Sequence, residues 1–434
     1  MSKEKLFHKD FTLMVIGQII SIFGNTILRF ALPLYLLNET GSATLLGLVS
    51  AISFIPMIIL SPVGGIIADR VNKRNVMVVL DFFTAALILV FTLLLGKLSL
   101  VPLMIITMMF LYGIQGSYQP AVQASLPALL NESELVSGNA VINIVNSLAG
   151  LIGPVFGGML YGFYGLTPIL IVSIFCFTCS AIMEIFIHIP FTAPAKSQGV
   201  MGIVKSDLKE SVRFIRNEQP IIAKCILIVA AFNLFLSSML MVGAPVIITE
   251  LLGFEDALGN QLYGYSEGAL AAGGLIGGIL AGVLGNKLNI RKGHWLLMGA
   301  AAGILPMGLA LWLDISPMFS YLVITISGCV IMILSTIFSI VALAFIQKTT
   351  PEALIGKVVS VVMAVCMCAQ PLGQALYGVL FDKLAAAPYL IIFFAAGISI
   401  VITLFSKTTF SSISSDPAPP VIISQGEVNE LPAQ

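Results

Sequence analysis

The sequence predicts an all-α membrane protein of twelve transmembrane helices arranged in two six-helix halves. Three observations support this prediction. Hydrophobic residues make up 58% of the 434 residues and charged residues only 10%, so too little polar surface is available to cover a water-soluble globule. Twelve apolar segments are long enough, at about 20 residues or more, to cross a bilayer as helices. Short sequences also recur at matching positions in the two sets of six segments.

A polar stretch divides the apolar segments into two sets. The first set is 11–37, 44–68, 76–95, 100–121, 137–163 and 167–189, and the second set is 220–248, 261–284, 294–313, 317–346, 354–380 and 387–406. Backbone groups in lipid must be paired within their own segment, so each segment is expected to be helical. The predicted domains are an N-terminal six-helix bundle over 1–189, a cytoplasmic linker over 190–219, a C-terminal six-helix bundle over 220–406 and a disordered cytoplasmic tail over 407–434.

Basic residues predict the orientation of the chain. Lys and Arg are retained on the cytoplasmic side of membrane proteins, and here they precede the first segment, crowd the linker and follow the even-numbered segments. The odd-numbered loops hold only Lys97 and Lys383. The first segment is too long for the core of a signal peptide and is expected to be retained as a helix. These features predict a multi-pass protein of the inner (cytoplasmic) membrane with both termini in the cytoplasm.

The two halves repeat each other. Gly64–Ala68, GGIIA, ends the second segment, and Gly277–Ala281, GGILA, ends the eighth. Leu160–Gly162, LYG, near the end of the fifth segment matches Leu376–Gly378, LYG, in the eleventh. Two like halves around a central path suggest transport by alternating access.

The stretch after the second segment carries a specific resemblance. Its glycine, its Asp-Arg pair and its two following bases are Gly65, Asp69, Arg70, Lys73 and Arg74. This pattern resembles the signature loop of the major facilitator superfamily, and the resemblance extends over the chain in helix count, linker and half-repeats. It implies the major facilitator fold and a gate in which Asp69 holds the N-terminal end of the eleventh helix, near Leu354, when the cytoplasmic side is closed. The alternative is an ordinary basic turn on the cytoplasmic side.

The fifth segment resembles the glycine-proline motif of drug-antiporter branches of this superfamily. The motif residues are Gly153, Pro154, Gly157 and Gly158. Proline bends a helix and glycines allow close packing, and the resemblance implies export. The alternative is a general glycine-rich packing face. Asp81 in the third segment and Glu267 in the eighth, with the run Val78–Asp81, resemble the macrolide-efflux and enterobactin-exporter type.

Charged side chains inside the membrane predict the coupling site. Each costs about 2.5 to 3.5 kcal/mol at the centre of a helix on insertion scales, so each is expected to have a function. The candidates are Arg29, Asp81, Glu184 and Glu267. A buried carboxyl group can take a proton from one side and release it on the other. Asp81 and Glu267 are the predicted proton carriers, and Arg29 is predicted to pair with Glu267 across a central cavity.

Each of these charges also has a structural interpretation. Glu184, close to His188 and the linker, is interpreted as an interfacial residue that reaches lipid headgroups. Asp81 could instead hold the bases of the signature loop. Glu267 could reach outward to the membrane surface, and Arg29 could anchor the first helix there.

Neutral polar side chains on the helices that line the path predict the substrate cavity. They are Gln18, Asn25, Gln115, Asn143, Asn233 and Gln370. Aromatic residues on the same segments suggest a largely apolar pocket with a few hydrogen-bonding groups, which suits a lipophilic compound. For any single residue, an interhelical hydrogen bond is the alternative.

Other functional classes find little support. The net charge of zero gives no basis for nucleic-acid binding. The sequence has no nucleotide-binding loop and no HExxH motif, and its six cysteines lie in or at the edge of apolar segments. We therefore expect no enzyme activity, cofactor or metal site, and the expected partners of this monomer are a small molecule, protons and the lipid bilayer.

The leading prediction is a proton-coupled exporter of small lipophilic or amphiphilic compounds. The alternatives are an exporter of an endogenous siderophore or lipid-like product, an uptake permease and, with least support, a membrane sensor or assembly factor.

Overall fold

The computed structural model describes residues 6–190, 208–285, 289–313, 316–351 and 354–411; within this part, the side chains of residues 62, 65, 66, 68 and 69 are not described. The described ranges contain twelve helices that are long and apolar enough to cross a membrane, and no β-strand. Most of the predicted linker and of the predicted tail lies outside these ranges.

All twelve predicted segments form helices. The first six are α1 (Lys9–Thr40), α2 (Ala43–Arg70), α3 (Lys73–Leu94), α4 (Leu100–Leu129), α5 (Leu135–Tyr164) and α6 (Leu166–Ile185). The second six are α7 (Pro220–Leu251), α8 (Asp256–Leu284), α9 (Ile290–Trp312), α10 (Pro317–Thr349), α11 (Ile355–Lys383) and α12 (Pro388–Ser411).

Several helices extend further into the loops than the apolar segments indicate, whereas α6 ends at Ile185, before the predicted segment end at residue 189. The signature loop is short because α2 continues to Arg70 and α3 begins at Lys73. Asn72 caps α3 by accepting a 3.0 Å hydrogen bond from the backbone N–H of Arg74, which satisfies a free donor at the helix start. At the other end of the chain, α12 runs to Ser411, past the predicted tail boundary at residue 406.

One π-helical turn interrupts α7 at Asn233–Ser237, and a second forms its end at Val246–Leu251. The wide turn leaves backbone carbonyls without their usual helical partners. The Ser238 hydroxyl lies 2.8 Å from the Asn233 carbonyl oxygen and 2.9 Å from the Gln370 carbonyl oxygen. The π turn of α7 is thus tied to α11.

Because successive helices cross the membrane in opposite directions, the bundle has two faces. We call the face where α1 begins and α12 ends the terminal face, and the opposite one, where α2 begins, the distal face. Within the N-terminal half, α1 and α3 pack on α6 and α2 packs on α4; within the C-terminal half, α8 and α9 pack on α10. The two halves meet through α5 against α8 and α2 against α11.

The hydrophobic core of the C-terminal half includes the start of α2 at the distal face. Leu37, Ala43 and Leu46 are at most 4% exposed and belong to the same buried cluster as Tyr377 and Phe381 of α11. The apolar contact therefore continues across the two halves at this face.

Candidate functional site

Helices α5 and α8 touch backbone to backbone near the distal face. A Cβ atom built on Gly158 would lie 2.8 Å from the Gly264 Cα atom, and one built on Gly264 would lie 2.7 Å from the Pro154 carbonyl oxygen. Real Cβ atoms do not approach backbone this closely, so both positions require glycine for the contact to form. The other motif glycines face α1, since a Cβ on Gly153 would meet Thr26 at 2.5 Å and one on Gly157 would meet Phe30 at 3.0 Å.

Helices α11 and α2 are joined at the distal face by a side-chain cap. The Asp382 carboxylate accepts hydrogen bonds from the backbone N–H of Ala43 (2.8 Å), from that of Thr44 (3.0 Å) and from the Ser42 hydroxyl (2.8 Å). A negative charge at the N-terminal end of a helix is favourable because the free N–H groups and the helix dipole are positive there. Nearby, Asn38 Nδ2 donates to Asn260 Oδ1 at 3.0 Å. The distal face is closed by these contacts.

The contact between α5 and α8 ends toward the terminal face. A Cβ atom built on Gly150 of α5 or on Gly282 of α8 would have no atom within 4 Å, and Asn143, nearer the start of α5, is exposed. The contact between α5 and α8 is thus tight on the distal side and absent at these positions near the terminal face, as expected of a bundle closed at one face and open at the other.

Glu267 lies on α8 at the junction of the halves. Tyr263 lies one turn earlier on the same helix, next to the carboxyl group, and its ring stacks on Phe30 of α1 with ring centroids 5.0 Å apart. The carboxyl group therefore lies beside a contact with the opposite half of the protein.

Arg29 has other partners than the predicted one. Its Nη1 atom donates to Gln115 Oε1 of α4, and its guanidinium carbon lies 4.2 Å from the centroid of the Tyr112 ring. Within the described part of the chain, Arg29 forms no ion pair with Glu267. The predicted pairing is not formed here because the guanidinium group is held inside the N-terminal half by α4.

Asp81 is buried between α1 and α3, with 2% of its surface exposed. Ser21 Oγ donates to its Oδ1 atom at 3.0 Å. The alternative expectation was that Asp81 binds the bases of the signature loop. Of these bases, Arg74 donates to Asn75 Oδ1 and to the Ile185 carbonyl oxygen. Asp81 thus does not hold Arg74 of the signature loop.

Glu184 is not at the interface, and this interpretation of the sequence was wrong. Its side chain is 0% exposed, and the Tyr118 hydroxyl of α4 donates to its Oε1 atom at 2.8 Å. Sequence position alone placed it near the headgroups. A usable signal was the helical spacing of Ser173, Ser180 and Glu184, which puts the acid on the same face as two small hydroxyl residues that are themselves fully buried.

The predicted cavity residues fall in different environments. Gln18 is fully buried and its Nε2 atom donates to the Tyr118 hydroxyl at 2.5 Å, so it faces the interior of the N-terminal half. Asn25 and Gln115 line a cavity of about 30 Å³ that also borders Asp81. In the C-terminal half, Asn233 Nδ2 donates to the Cys366 carbonyl oxygen at 3.3 Å and Gln370 Nε2 to Met241 Sδ at 3.1 Å.

The predicted terminal-face gate is only partly visible. The surroundings of Gly65 and the side chain of Asp69 are not described, so the expected contact of Asp69 with α11 stays a prediction. Lys357 at the start of α11 forms an ion pair with Glu210 of the helical segment that precedes α7, with a Nζ to Oε2 distance of 2.7 Å. This pair links the end of the linker to the C-terminal half.

Comparison with known proteins identifies a family. A family model described as the Major Facilitator Superfamily matches residues 14–373. Macrolide efflux protein A of Streptococcus pyogenes is 25% identical over 390 residues, which cover 88% of this chain and 92% of that protein. The multidrug efflux pump Tap of Mycolicibacterium fortuitum is 23% identical over 366 residues, covering 83% and 86% of the two chains.

Solved structures of low sequence identity share the fold. The nucleoside transporter NupG has a TM-score of 0.73 at 12% identity, covering 93% of this chain and 99% of that one. A bacterial homologue of the iron transporter ferroportin, in an inward-facing state, has a TM-score of 0.67 at 17% identity, covering 91% and 98%.

Proposed function

Because this chain belongs to the major facilitator superfamily, we propose that it is a proton-coupled exporter of small lipophilic or amphiphilic compounds such as macrolide-type drugs. Its family and its relatives are transporters and not enzymes. We further propose that it works as a monomer in the inner membrane, with the terminal face and both termini in the cytoplasm.

The main support for the proposed direction of transport and for the proposed class of substrate is the similarity to efflux proteins. Macrolide efflux protein A and the Tap pump each align with more than four fifths of this chain and of their own length. The glycine-proline face of α5 supports the same direction, because Gly158 forms the contact with Gly264 of α8 that closes the distal face.

The open terminal face supports loading from the cytoplasm. In the proposed orientation the structure is inward-facing, so a lipophilic compound reaches the central space from the cytoplasm or the inner leaflet. Release on the outside requires the contacts of Asp382 with α2 and of Gly158 with α8 to open. The predicted gate at Asp69 would then close the terminal face.

The membrane-embedded carboxyl groups supply a means of coupling. Glu267 lies one turn from Tyr263, whose ring stacks on Phe30 of the opposite half, so a change in its charge would act beside a contact between the two halves. Asp81 borders a cavity that also touches the polar groups Asn25 and Gln115. Protons bound at such groups on one side and released on the other would drive export against a concentration gradient.

The experiment that tests this proposal measures macrolide and lipophilic-dye accumulation in cells that express the protein. We expect efflux in cells with the wild-type protein and its loss on addition of a protonophore. Asp81→Asn and Glu267→Gln should abolish gradient-dependent efflux, whereas Glu132→Gln, at an exposed position in the loop between α4 and α5, should leave it intact.

Two outcomes would count against the proposal. Efflux that persists with the protonophore would contradict proton coupling. Unchanged accumulation despite confirmed membrane expression would contradict broad drug export and favour a dedicated endogenous substrate.

A further inference from the structure

A second carboxyl group lies with Asp81 in the interior of the N-terminal half. Asp81 of α3 and Glu184 of α6 are 2% and 0% exposed. Tyr118 of α4 donates to Glu184 Oε1 and lines the same cavity as Asp81, while Gln18 of α1 donates to the Tyr118 hydroxyl. Four helices thus contribute to one buried polar cluster, which we call the carboxyl pair cluster: Gln18, Ser21, Asp81, Tyr118 and Glu184.

Each carboxyl group of the cluster has one oxygen bonded and one oxygen free. Ser21 donates to Asp81 Oδ1 and Tyr118 to Glu184 Oε1. Asp81 Oδ2 and Glu184 Oε2 are buried and have no hydrogen-bond partner. Leaving a buried polar atom unpaired is costly, and more so for a charged group, so a cluster with two unpaired carboxyl oxygens is suited to a positively charged or hydrogen-bonding ligand.

No cation of the described chain neutralises this pair. Neither carboxyl group forms an ion pair with a described Lys, Arg or His. By element, α3 contributes Asp81, α4 contributes Tyr118 and α6 contributes Glu184, while α1 contributes only the uncharged Gly17, Gln18 and Ser21.

Two bases of the terminal face point away from the pair. Arg74 donates to the Ile185 carbonyl oxygen at 3.5 Å and also to Asn75 Oδ1, and His188 is exposed. Two ionised carboxylates buried together without a counter-cation repel each other, so a shared proton would stabilise the cluster.

A small polar cavity lies beside the pair. Its volume of about 30 Å³ is large enough for water, and it is lined by Ser21, Asn25, Gln115, Tyr118 and Gln119 as well as Asp81. Asn25 and Gln115 lie on α1 and α4, and Gln115 is bonded to Arg29. Asp81 Oδ2 is itself buried, so proton exchange with water in this cavity requires a local movement that exposes this oxygen.

We propose that Asp81 and Glu184, with Tyr118 bonded to Glu184 beside them, form a two-carboxyl proton site in the N-terminal half and that this pair couples proton movement to transport. The inference rests on the proposed function, because it assigns the residues of its proton step. The proton comes from water on one side of the membrane, is held by a carboxyl oxygen of the pair, and returns to water on the other side after the two halves have moved. Glu184 is thereby a proton-carrying residue and not a headgroup anchor.

The test begins with infrared difference spectroscopy of the purified protein in lipid, titrated across the neutral range. The wild-type protein should show a protonated-carboxyl band that changes with pH. Asp81→Asn and Glu184→Gln should each remove intensity from this band, and Tyr118→Phe should shift it. Glu132→Gln should reproduce the wild-type spectrum. Asn and Gln preserve the size and one acceptor oxygen of the native side chains, and a thermal unfolding measurement confirms that each variant is folded.

Proton-driven macrolide transport in liposomes is measured on the same preparations. If the pair couples transport, Glu184→Gln loses the dependence of transport on an imposed pH gradient. The inference would be overturned by a carboxyl band that is unchanged in Glu184→Gln, by gradient-driven transport that persists in this variant, or by sodium ions that displace the proton at constant pH. Wild-type transport that ignores the pH gradient would instead refute the proposed function, and the infrared result would then stand on its own as evidence for or against the proton-binding pair.

Discussion

The carboxylate of Asp382, in the last turn of α11, accepts a 2.8 Å hydrogen bond from the backbone N–H of Ala43, in the first turn of α2. The two residues are 339 positions apart in the sequence, and the bond joins the two halves of the transporter. The same carboxylate also accepts hydrogen bonds from the Thr44 backbone N–H and from the Ser42 hydroxyl. The closed distal face is thus held in part by one acidic residue at a helix N-terminus.

Removing this cap should favour opening of the distal face. Asp382→Ala deletes a helix cap, which is worth about 1 kcal/mol, so the ratio of distal-open to distal-closed molecules should rise roughly fivefold. Electron paramagnetic resonance distances between spin labels at residues 97 and 255, in exposed distal loops of the two halves, report this ratio. Lys383→Ala, the adjacent exposed position, is the control. An unchanged distance distribution in Asp382→Ala would show that the cap does not hold the face closed.

The glycines of α5 allow a comparison within one helix. Gly158→Ala places a methyl group 2.8 Å from the Gly264 Cα atom, whereas Gly150→Ala places one where no atom lies within 4 Å. Overpacking of this kind typically costs about 1 to 3 kcal/mol. We expect Gly158→Ala to shift the same spin-label pair to longer distances and to slow export, and Gly150→Ala to behave as the wild type. Equal behaviour of the two variants would contradict the role of this contact in closure.

The sequence predicted the helices more completely than the site. Twelve apolar segments were sufficient because the bilayer sets the length of a helix and forbids an irregular backbone. The extra turns at the ends, such as the start of α8 at Asp256, depend on polar residues that hydropathy does not count. Asp81 and Glu267 could be singled out as candidate proton carriers because an isolated charge in an apolar segment is costly. Their role in proton coupling stays a prediction.

Side-chain partners were harder to predict. Glu184 lies near the end of its apolar segment, and only the packing of α6 against α1 and α3 places it in the interior. Arg29 could have faced several helices, and the choice of Gln115 and Tyr112 on α4 depends on how α1 is rotated within the bundle. Hydropathy carries no information on that rotation.

The Glu267→Gln variant should distinguish a role in proton coupling from a role in substrate binding. Glu267→Gln removes the titratable group but keeps a similar shape, so macrolide exchange without a gradient should continue while uptake driven by a pH gradient falls to the level of empty liposomes. Tyr263→Phe, which keeps the ring stacked on Phe30 and loses only the hydroxyl group, should reduce gradient-driven transport partially. Loss of both exchange and driven transport in Glu267→Gln would indicate a structural or substrate-binding role instead.

The orientation of the bundle is testable by labelling. A cysteine at residue 97, in the loop between α3 and α4, should react with a membrane-impermeant maleimide in intact spheroplasts. A cysteine at residue 132, in the loop between α4 and α5, should react only in inverted membrane vesicles. Both positions are exposed, and the native cysteines are replaced beforehand because Cys368 is also exposed. The reverse pattern would place the open face outside the cell and would favour uptake.

Coupled movement of protons and substrate is the central claim, and it is measured most directly in liposomes that contain the purified protein and an internal pH-sensitive dye. With no pH gradient at the start, a macrolide gradient across the membrane should move protons in the direction opposite to the macrolide, and the signal should vanish with a protonophore and in the Asp81→Asn and Glu267→Gln variants. Macrolide movement without any change in internal pH would contradict proton-coupled export.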